Sequence, residues 1–277
     1  MNDRMPTLLA RCLRVLAIAG GLWLSSHHPA AAAPADPLDL AHRKLLFADE
    51  FDRLDVSARG PGTTWTAHTP WHGDFGDATF VDPQPGFPFT ISDGVLHITM
   101  RRNGEGRWQS GLLSSTGPDG QGFSTPYGYF EMRAKFPSGP GVWPAFWLDS
   151  QPPPGSTDPS IEVDIVEQYG KFPGAFNSTV TVWHKGQPKL DRSVQRINRV
   201  PAGIMSSGFH LWGADITPKD ITIYFDRQPI WHTPTPPEHH HGFDILVDLG
   251  LGGGWPIEHA PNPAVMEVDY VRVYAPR

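Results

Sequence analysis

The sequence predicts an all-β protein, a single sandwich or jelly roll with strands from about Leu45 to Tyr274. Three observations point there. Thirty prolines and 29 glycines are spread along 277 residues, a density that helices tolerate badly and sheet-and-loop folds tolerate well. Short runs rich in β-branched and aromatic residues recur, most of them bounded by turn residues. No long stretch carries a helical period.

The first segment stands outside that pattern. Arg4, Arg11 and Arg14 precede an apolar run from Val15 to Leu24 and a small-residue tract from Ala30 to Ala33. This is the order of a secretory signal peptide, assigned to residues 1–33, and it implies a secreted or periplasmic protein. The run is about half the length that a bilayer span requires, and no later run is long and apolar enough to span. The single cysteine, Cys12, falls inside the signal, so the mature chain would have no disulfide and no cysteine metal site. Residues 34–44 read as a loose leader and 45–277 as the folded domain.

The predicted strands follow in order. They include Phe89–Ser92, Leu96–Met100, Tyr129–Phe136, Glu162–Glu167, Thr179–His184, Ile221–Phe225, Ile245–Leu249 and Val268–Tyr274. Leu45–Phe51 and Met266–Tyr274 both alternate, and their pairing is expected. Loops rich in Pro or Gly are expected at Asp82–Pro88, Gln151–Asp158 and Pro234–His241.

Charge narrows the partners. The whole chain carries −7, and removal of residues 1–33, with three Arg and one Asp, leaves a more acidic chain. Such a surface gains nothing from nucleic acid or an anionic membrane, and a neutral polymer suits it better. Ten Trp, fifteen Phe and six Tyr serve either a core or flat apolar platforms in a sugar-binding cleft.

The segment Ser160-Ile-Glu-Val-Asp-Ile-Val-Glu-Gln-Tyr169 is the most informative. Glu162 and Asp164 share a strand face, and Val163 and Ile165 point the other way. Continued alternation would send Glu167 into the core, where an unpaired carboxylate is costly. A β-bulge at Ile165–Val166 returns it to the face of the other two. Four steps of about 3.3 Å then separate the two Glu backbones by about 13 Å. Side chains leaning inward would approach the about 5–5.5 Å of a retaining glycosidase, with Asp164 between them to tune ionisation. A solvated acidic strand face is the plainer alternative.

Several segments in chain order give this reading a family. Glu162-Val-Asp-Ile-Val-Glu167 resembles the E-x-D-x-x-E motif of glycoside hydrolase family 16. Phe47–Asp52, Tyr127–Phe136, Gly141–Leu148, Phe209–Asp215, Ile223–Asp226 and Met266–Tyr274 resemble other strands of that family in its order. The resemblance covers residues 45–274. It implies a curved, concanavalin A-like β-jelly roll with substrate across the concave sheet. It also implies Glu162 as nucleophile, Asp164 as its assistant and Glu167 as general acid/base.

The same resemblance extends to binding residues. Trp143, and with it Trp147, are candidate sugar platforms, the alternative being two core tryptophans. Glu131 and Arg133 share a face and are candidates for the glycone subsites, the alternative being a surface ion pair. Trp183 and His184 follow the next strand, and His184 is a candidate for orienting substrate or Glu167. Trp108 and Trp255 are candidates for the cleft rim. Family members often hold a structural calcium ion, here implied at the Asp269 side chain with backbone oxygens of Glu50 and Gly94. No cofactor is expected for catalysis. The histidines of His239–His241 and His232 read as a solvated loop, and Asn177-Ser-Thr179 as a short glycosylation-type pattern.

The implied activity is that of a monomeric, endo-acting β-glucanase cutting β-1,3 or mixed β-1,3/1,4-glucan with retention. The segment Trp71–Phe80 departs from the asparagine-rich cleft strand of laminarinases and is more similar to bacterial members that trim exopolysaccharide. Galactan-cleaving members share the motif. Non-catalytic glucan-binding relatives lack the glutamates, and transglycosylase relatives have a motif one residue shorter.

Overall fold

The computed structural model describes residues 38–71, 73–153 and 155–277. The expected signal segment 1–33 and residues 34–37 lie outside the described residues. The strands begin with β1 (Leu45–Asp49), β2 (Val56–Ser57), β3 (Trp65–Thr66), β4 (Thr79–Phe80), β5 (Phe89–Ser92) and β6 (Val95–Arg102). Next come β7 (Trp108–Ser110), β8 (Leu112–Ser114), β9 (Gly128–Lys135), β10 (Val142–Ser150), β11 (Ser160–Glu167) and β12 (Ala175–Trp183). β13 (Arg192–Arg199) precedes a single helical turn, α1 (Ile204–Ser207). The chain closes with β14 (His210–Ile216), β15 (Asp220–Phe225), β16 (Gln228–Pro234), β17 (Asp244–Leu251) and β18 (Ala264–Tyr274).

These form two sheets. One is ordered β16-β15-β14-β9-β18-β6-β7-β4, with β1 added beside β18 and β5 beside β6. The other is ordered β13-β12-β11-β10-β17-β8-β3-β2. This is the jelly-roll sandwich that the turn-rich sequence predicts. The terminal strands do pair, Asp49 opposite Val271.

Strand alternation builds the core. Phe130, Met132 and Ala134 of β9 meet Phe146 and Leu148 of β10, Ile161 and Val163 of β11, and Val247 and Leu249 of β17 between the sheets. Trp108 joins this cluster at 6% exposure, with Arg102 stacked on its ring at 4.5 Å. It is a packing residue rather than a cleft rim, because its strand β7 pairs with β6 of the first sheet.

The opposite face of β9 corrects a second expectation. Glu131 and Arg133 do share a face, but it is the outer face of the sheet that lacks the catalytic motif. Glu131 is fully buried there and accepts from Tyr129, Tyr270 and both Nε and Nη2 of Arg227 at 2.8–2.9 Å. Arg227 is delivered by a two-residue turn in which Asp226 and Arg227 both have positive φ, the backbone twist that a tight hairpin requires. Arg133 bonds Asp269 at 2.6 Å and lies over Phe209. Neither residue reaches the carboxylates of β11.

The segment expected as a leader is anchored near its end. Arg43 is buried and makes a bidentate pair with Asp215 at 2.8 and 2.6 Å. The histidine loop is not wholly solvated either. His239 is 5% exposed, bonds the Pro126 carbonyl at 2.8 Å and stacks on Phe243.

Candidate active site

β11 carries the bulge that its sequence requires. Phe146 pairs with Val166 while its neighbour Trp147 pairs with Asp164, so Ile165 has no partner on β10. On the other side, Asp164 faces Thr179 and Glu167 faces Asn177, three chain steps against two. Ile161, Val163, Ile165 and Val166 all enter the core. Glu162, Asp164 and Glu167 therefore emerge together on the face turned away from it.

Cross-strand register sorts this face into rows. One row reads Ser193, Thr181, Glu162, Asp149, Asp244. The middle row reads Gln195, Thr179, Asp164, Trp147, Leu246, Ser114. The third reads Ile197, Asn177, Glu167, Ala145, Asp248, Leu112. On one side of β11 the face is hydroxyl and amide, apart from Ile197 at its edge. On the other it is apolar and acidic.

Indole N–H groups hold the two glutamates. Trp143 Nε1 donates to Glu167 Oε1 at 2.9 Å, and the Trp143 ring stacks on Tyr169 at 5.7 Å. Tyr169 also hydrogen-bonds Glu167. Trp183, 39% exposed, hydrogen-bonds Glu162 from the other end. The close seat of Trp143 explains nearby glycines: a Cβ on Gly253, whose φ is +58°, would meet its ring at 2.8 Å. Trp255 follows on the same loop and packs edge-on against Phe172 and Tyr169, with Lys171 over its ring. Tyr169 links it to Trp143.

Trp147 forms the floor. It is 5% exposed, donates Nε1 to Asp248 Oδ1 at 2.8 Å, and packs with Phe80, Leu112, Ala145, Leu246 and Phe75. Trp71, 41% exposed, sets its ring 5.8 Å from that of Trp147. Its loop is fastened by His68, which bonds Asp82 at 2.8 Å and lies 3.8 Å from Asp74. His184 lies elsewhere. It follows Trp183, beyond Ser160, whereas Glu167 sits opposite Asn177 at the other end of the strand pair. Its backbone N–H is capped by Asp191 at 2.8 Å. It cannot orient Glu167, about seven strand steps or 23 Å away. Asn177, the glycosylation-type residue, is mid-strand beside Glu167, where a glycan would fill the cleft.

Burial and crowding govern ionisation here. Desolvation, then repulsion from Glu167, pushes Glu162 up to about 7, against the Trp183 hydrogen bond. Glu167 is raised by desolvation, offset by Tyr169 and Trp143. Asp164 is raised well above the usual carboxylate range by desolvation and by its glutamate neighbours. Desolvation brings Asp244 to about 7 and Asp248 to about 8. Crowded buried carboxyls of this kind retain protons into the neutral range, which leaves acids and bases side by side at neutral pH.

Calcium does not fit the implied position through side chains. Asp269 Oδ2 is held by Arg133, and the Glu50 carboxylate is held by Arg272 through two bonds of 2.7 Å. The negative charge that would attract the ion is already matched by arginine. Among the described residues no group of three or more His, Cys, Asp or Glu side chains is arranged to hold a metal.

The sequence profile of glycosyl hydrolases family 16 matches residues 86–272. The chain belongs to that family. Among curated relatives it is 33% identical over 261 residues to an endo-1,3-1,4-beta-glycanase, EglC, of Rhizobium meliloti (strain 1021), covering 86% of this chain and 53% of that one. It is 32% identical over 204 residues to a beta-glucanase of Rhodothermus marinus, covering 66% and 69%. The chain thus spans about half the length of the Rhizobium relative. The catalytic domain of a Thermotoga petrophila laminarinase superposes with a TM-score of 0.65 at 22% identity, over 85% of this chain and 98% of that one. This likeness concerns the fold. Within this family 16 chain, Trp71, Phe75, Tyr169, Asp149, Asp244 and Asp248 lie on or beside the face of the motif and were not singled out as candidates by sequence reasoning. Only Asp248 left a local signal, an acid inside the apolar run Ile245–Leu249.

Proposed function

We propose that this family 16 domain is a secreted, endo-acting β-glucanase that cleaves β-1,3 or mixed β-1,3/1,4-glucan with retention. The observation that carries the reading is the bulge of β11, which brings Glu162, Asp164 and Glu167 to one face between two indole donors. The glucan chain crosses the strands above the middle row, so that its scissile bond lies between the two glutamates.

In the first step the Glu162 carboxylate attacks the anomeric carbon while the Glu167 carboxyl proton passes to the glycosidic oxygen, and the carbon–oxygen bond breaks. Glu167 then takes a proton from water, which attacks the same carbon and frees Glu162. Trp143 and Trp183 fix the two carboxyls in place. Asp164, held largely neutral beside Glu162, supplies a proton to that site without adding charge.

The test is an assay of purified protein on laminarin, lichenan, agarose and a bacterial exopolysaccharide, with proton NMR of the first product. Reducing ends from laminarin or lichenan, released first as the β-anomer, are expected. No cleavage of either glucan sinks the substrate assignment, and an initial α-anomer sinks retention.

The aromatic side of the cleft gives a second expectation. Trp71 offers an exposed ring above Trp147, the geometry of a sugar platform remote from the cleaved bond. Trp71→Ala is expected to raise KM on long glucans about 5- to 10-fold, the worth of one stacked ring, with kcat nearly unchanged. Steady-state kinetics on short and long oligosaccharides checks this. Equal KM changes for both lengths would remove Trp71 from a distal position.

A further inference from the structure

Asp149 and Asp244 are direct cross-strand partners on β10 and β17, and Asp149 is also the partner of Glu162 on β11. Opposed residues in antiparallel strands bring their Cβ atoms to about 5 Å, so three carboxyls stand side by side in one row. Asp149 and Asp244 are only 3% and 2% exposed. Asp149 Oδ2 accepts from the Gln151 amide, and Asp244 Oδ2 accepts from the Thr116 hydroxyl at 3.1 Å. Asp149 Oδ1 is buried with no hydrogen-bond donor.

The groups that face the pair are Gln151 after β10, Thr116 after β8 and Glu162 on β11, with Asp164 one row beyond. Gln151 and Thr116 bring no charge, and Glu162 brings a like one. Two adjacent anions buried without a cation are far costlier than one anion and one acid. A proton between them satisfies the orphaned oxygen and removes one charge. The electrostatics agree: burial, then Asp244 and Glu162, raise Asp149 well above the usual range.

We propose that Asp149 and Asp244 share one proton and act together as positioning residues for Glu162, presenting a single negative charge to it. The proposal rests on Glu162 being the nucleophile. The pair never touches the reacting atoms. It fixes how readily the neighbouring glutamate gives up its proton, because one charge stands behind it rather than none or two.

The test is the pH profile of kcat/KM for Asp149→Asn, Asp244→Asn and the double variant. An amide in place of the protonated member leaves the single charge intact, so each single variant keeps the acid limb within about 0.3 unit. The double variant loses the charge, and its acid limb falls by about 0.5 unit or more. A limb that falls in each single variant and again in the double means two separate anions and overturns the shared proton. An unmoved limb in the double overturns the coupling to Glu162. Asp149→Asn/Asp244→Thr is a second uncharged pair should the first fail to fold.

One readout does not need activity. In the Glu162→Gln background, Asp149→Asn is expected to remove one infrared absorption of a protonated carboxyl at neutral pH. Its persistence overturns the shared proton. If instead Glu162→Gln cleaves as well as the parent, the nucleophile assignment fails, and the infrared result still reports on the pair.

Discussion

Glu162→Gln is expected to lower kcat/KM by about 10³-fold or more, because the covalent route is lost and no other side chain on this face occupies the same position between Trp183 and Asp149. Glutamine keeps the shape and can still accept from the Trp183 indole. The variant is therefore expected to fold and to bind glucan. It is also expected to be more stable than the parent above neutral pH. The native carboxyl is raised to about 7 by burial and by Glu167, so holding it ionised opposes folding. Glu162 keeps a partly open edge to the cleft, which screens the effect and places the gain at about 1–2 kcal/mol. Rates on the best glucan, together with melting temperatures at pH 5 and pH 8, read both effects. A variant that is inactive but less stable at pH 8 would contradict the electrostatic account, and an active one would contradict the chemistry.

The second large effect belongs to the whole carboxylate floor. Asp244 is raised to about 7 and Asp248 to about 8 by burial, and burial also raises Asp149 and Asp164 well above the usual carboxylate range. An unfolded chain releases these protons near pH 4, while in the folded chain Asp248 keeps its own to about pH 8 and the Asp149–Asp244 pair keeps one into the neutral range. The folded state thus binds more protons through that window, and stability falls as pH rises across it. The acids lowered by hydrogen bonds, such as Asp55 with Thr64 and Glu238 with Arg192, act below pH 5 in the opposite direction. Stability should peak near pH 5. Asp248→Asn tests one large share, since Asp248 is fully buried and raised to about 8. Its amide oxygen keeps the Trp147 hydrogen bond, although the amide nitrogen gains no obvious partner. The expected outcome is a fall in melting temperature between pH 5 and pH 8 that is smaller in the variant by about 3–8 °C. An equal fall in both proteins would show that Asp248 titrates as an ordinary carboxylate.

What could be read from the sequence follows a physical line between local and non-local information. The bulge was legible because alternation within one strand fails at Val166, and burying Glu167 would be costly. Trp143 stood out through the family's motif as a sugar platform and Trp183 only by following its strand; their hydrogen bonds to the two glutamates came from the fold. Glu131 and Arg133 were misplaced because alternation shows that two residues share a face without showing which sheet or which side that face belongs to. His184 was misplaced with respect to Glu167 because the direction of β12 relative to β11 puts it at the Glu162 end. Asp149 and Asp244 became site residues only through the register of β10 with its two neighbours. The Arg43–Asp215 clamp joins residues 172 apart, a contact that no local pattern announces.

The bulge also gives β11 an unusual tolerance of length. Elsewhere in a strand, losing one residue turns every later side chain to the opposite face. Here Ile165 and Val166 are consecutive and both fully buried, so losing either restores plain alternation. The last glutamate would still face the cleft, drawn closer to Asp164, and the core would give up a single aliphatic side chain. This short stretch is therefore a splice point, where the chain can be shortened without reversing the side on which its acids act.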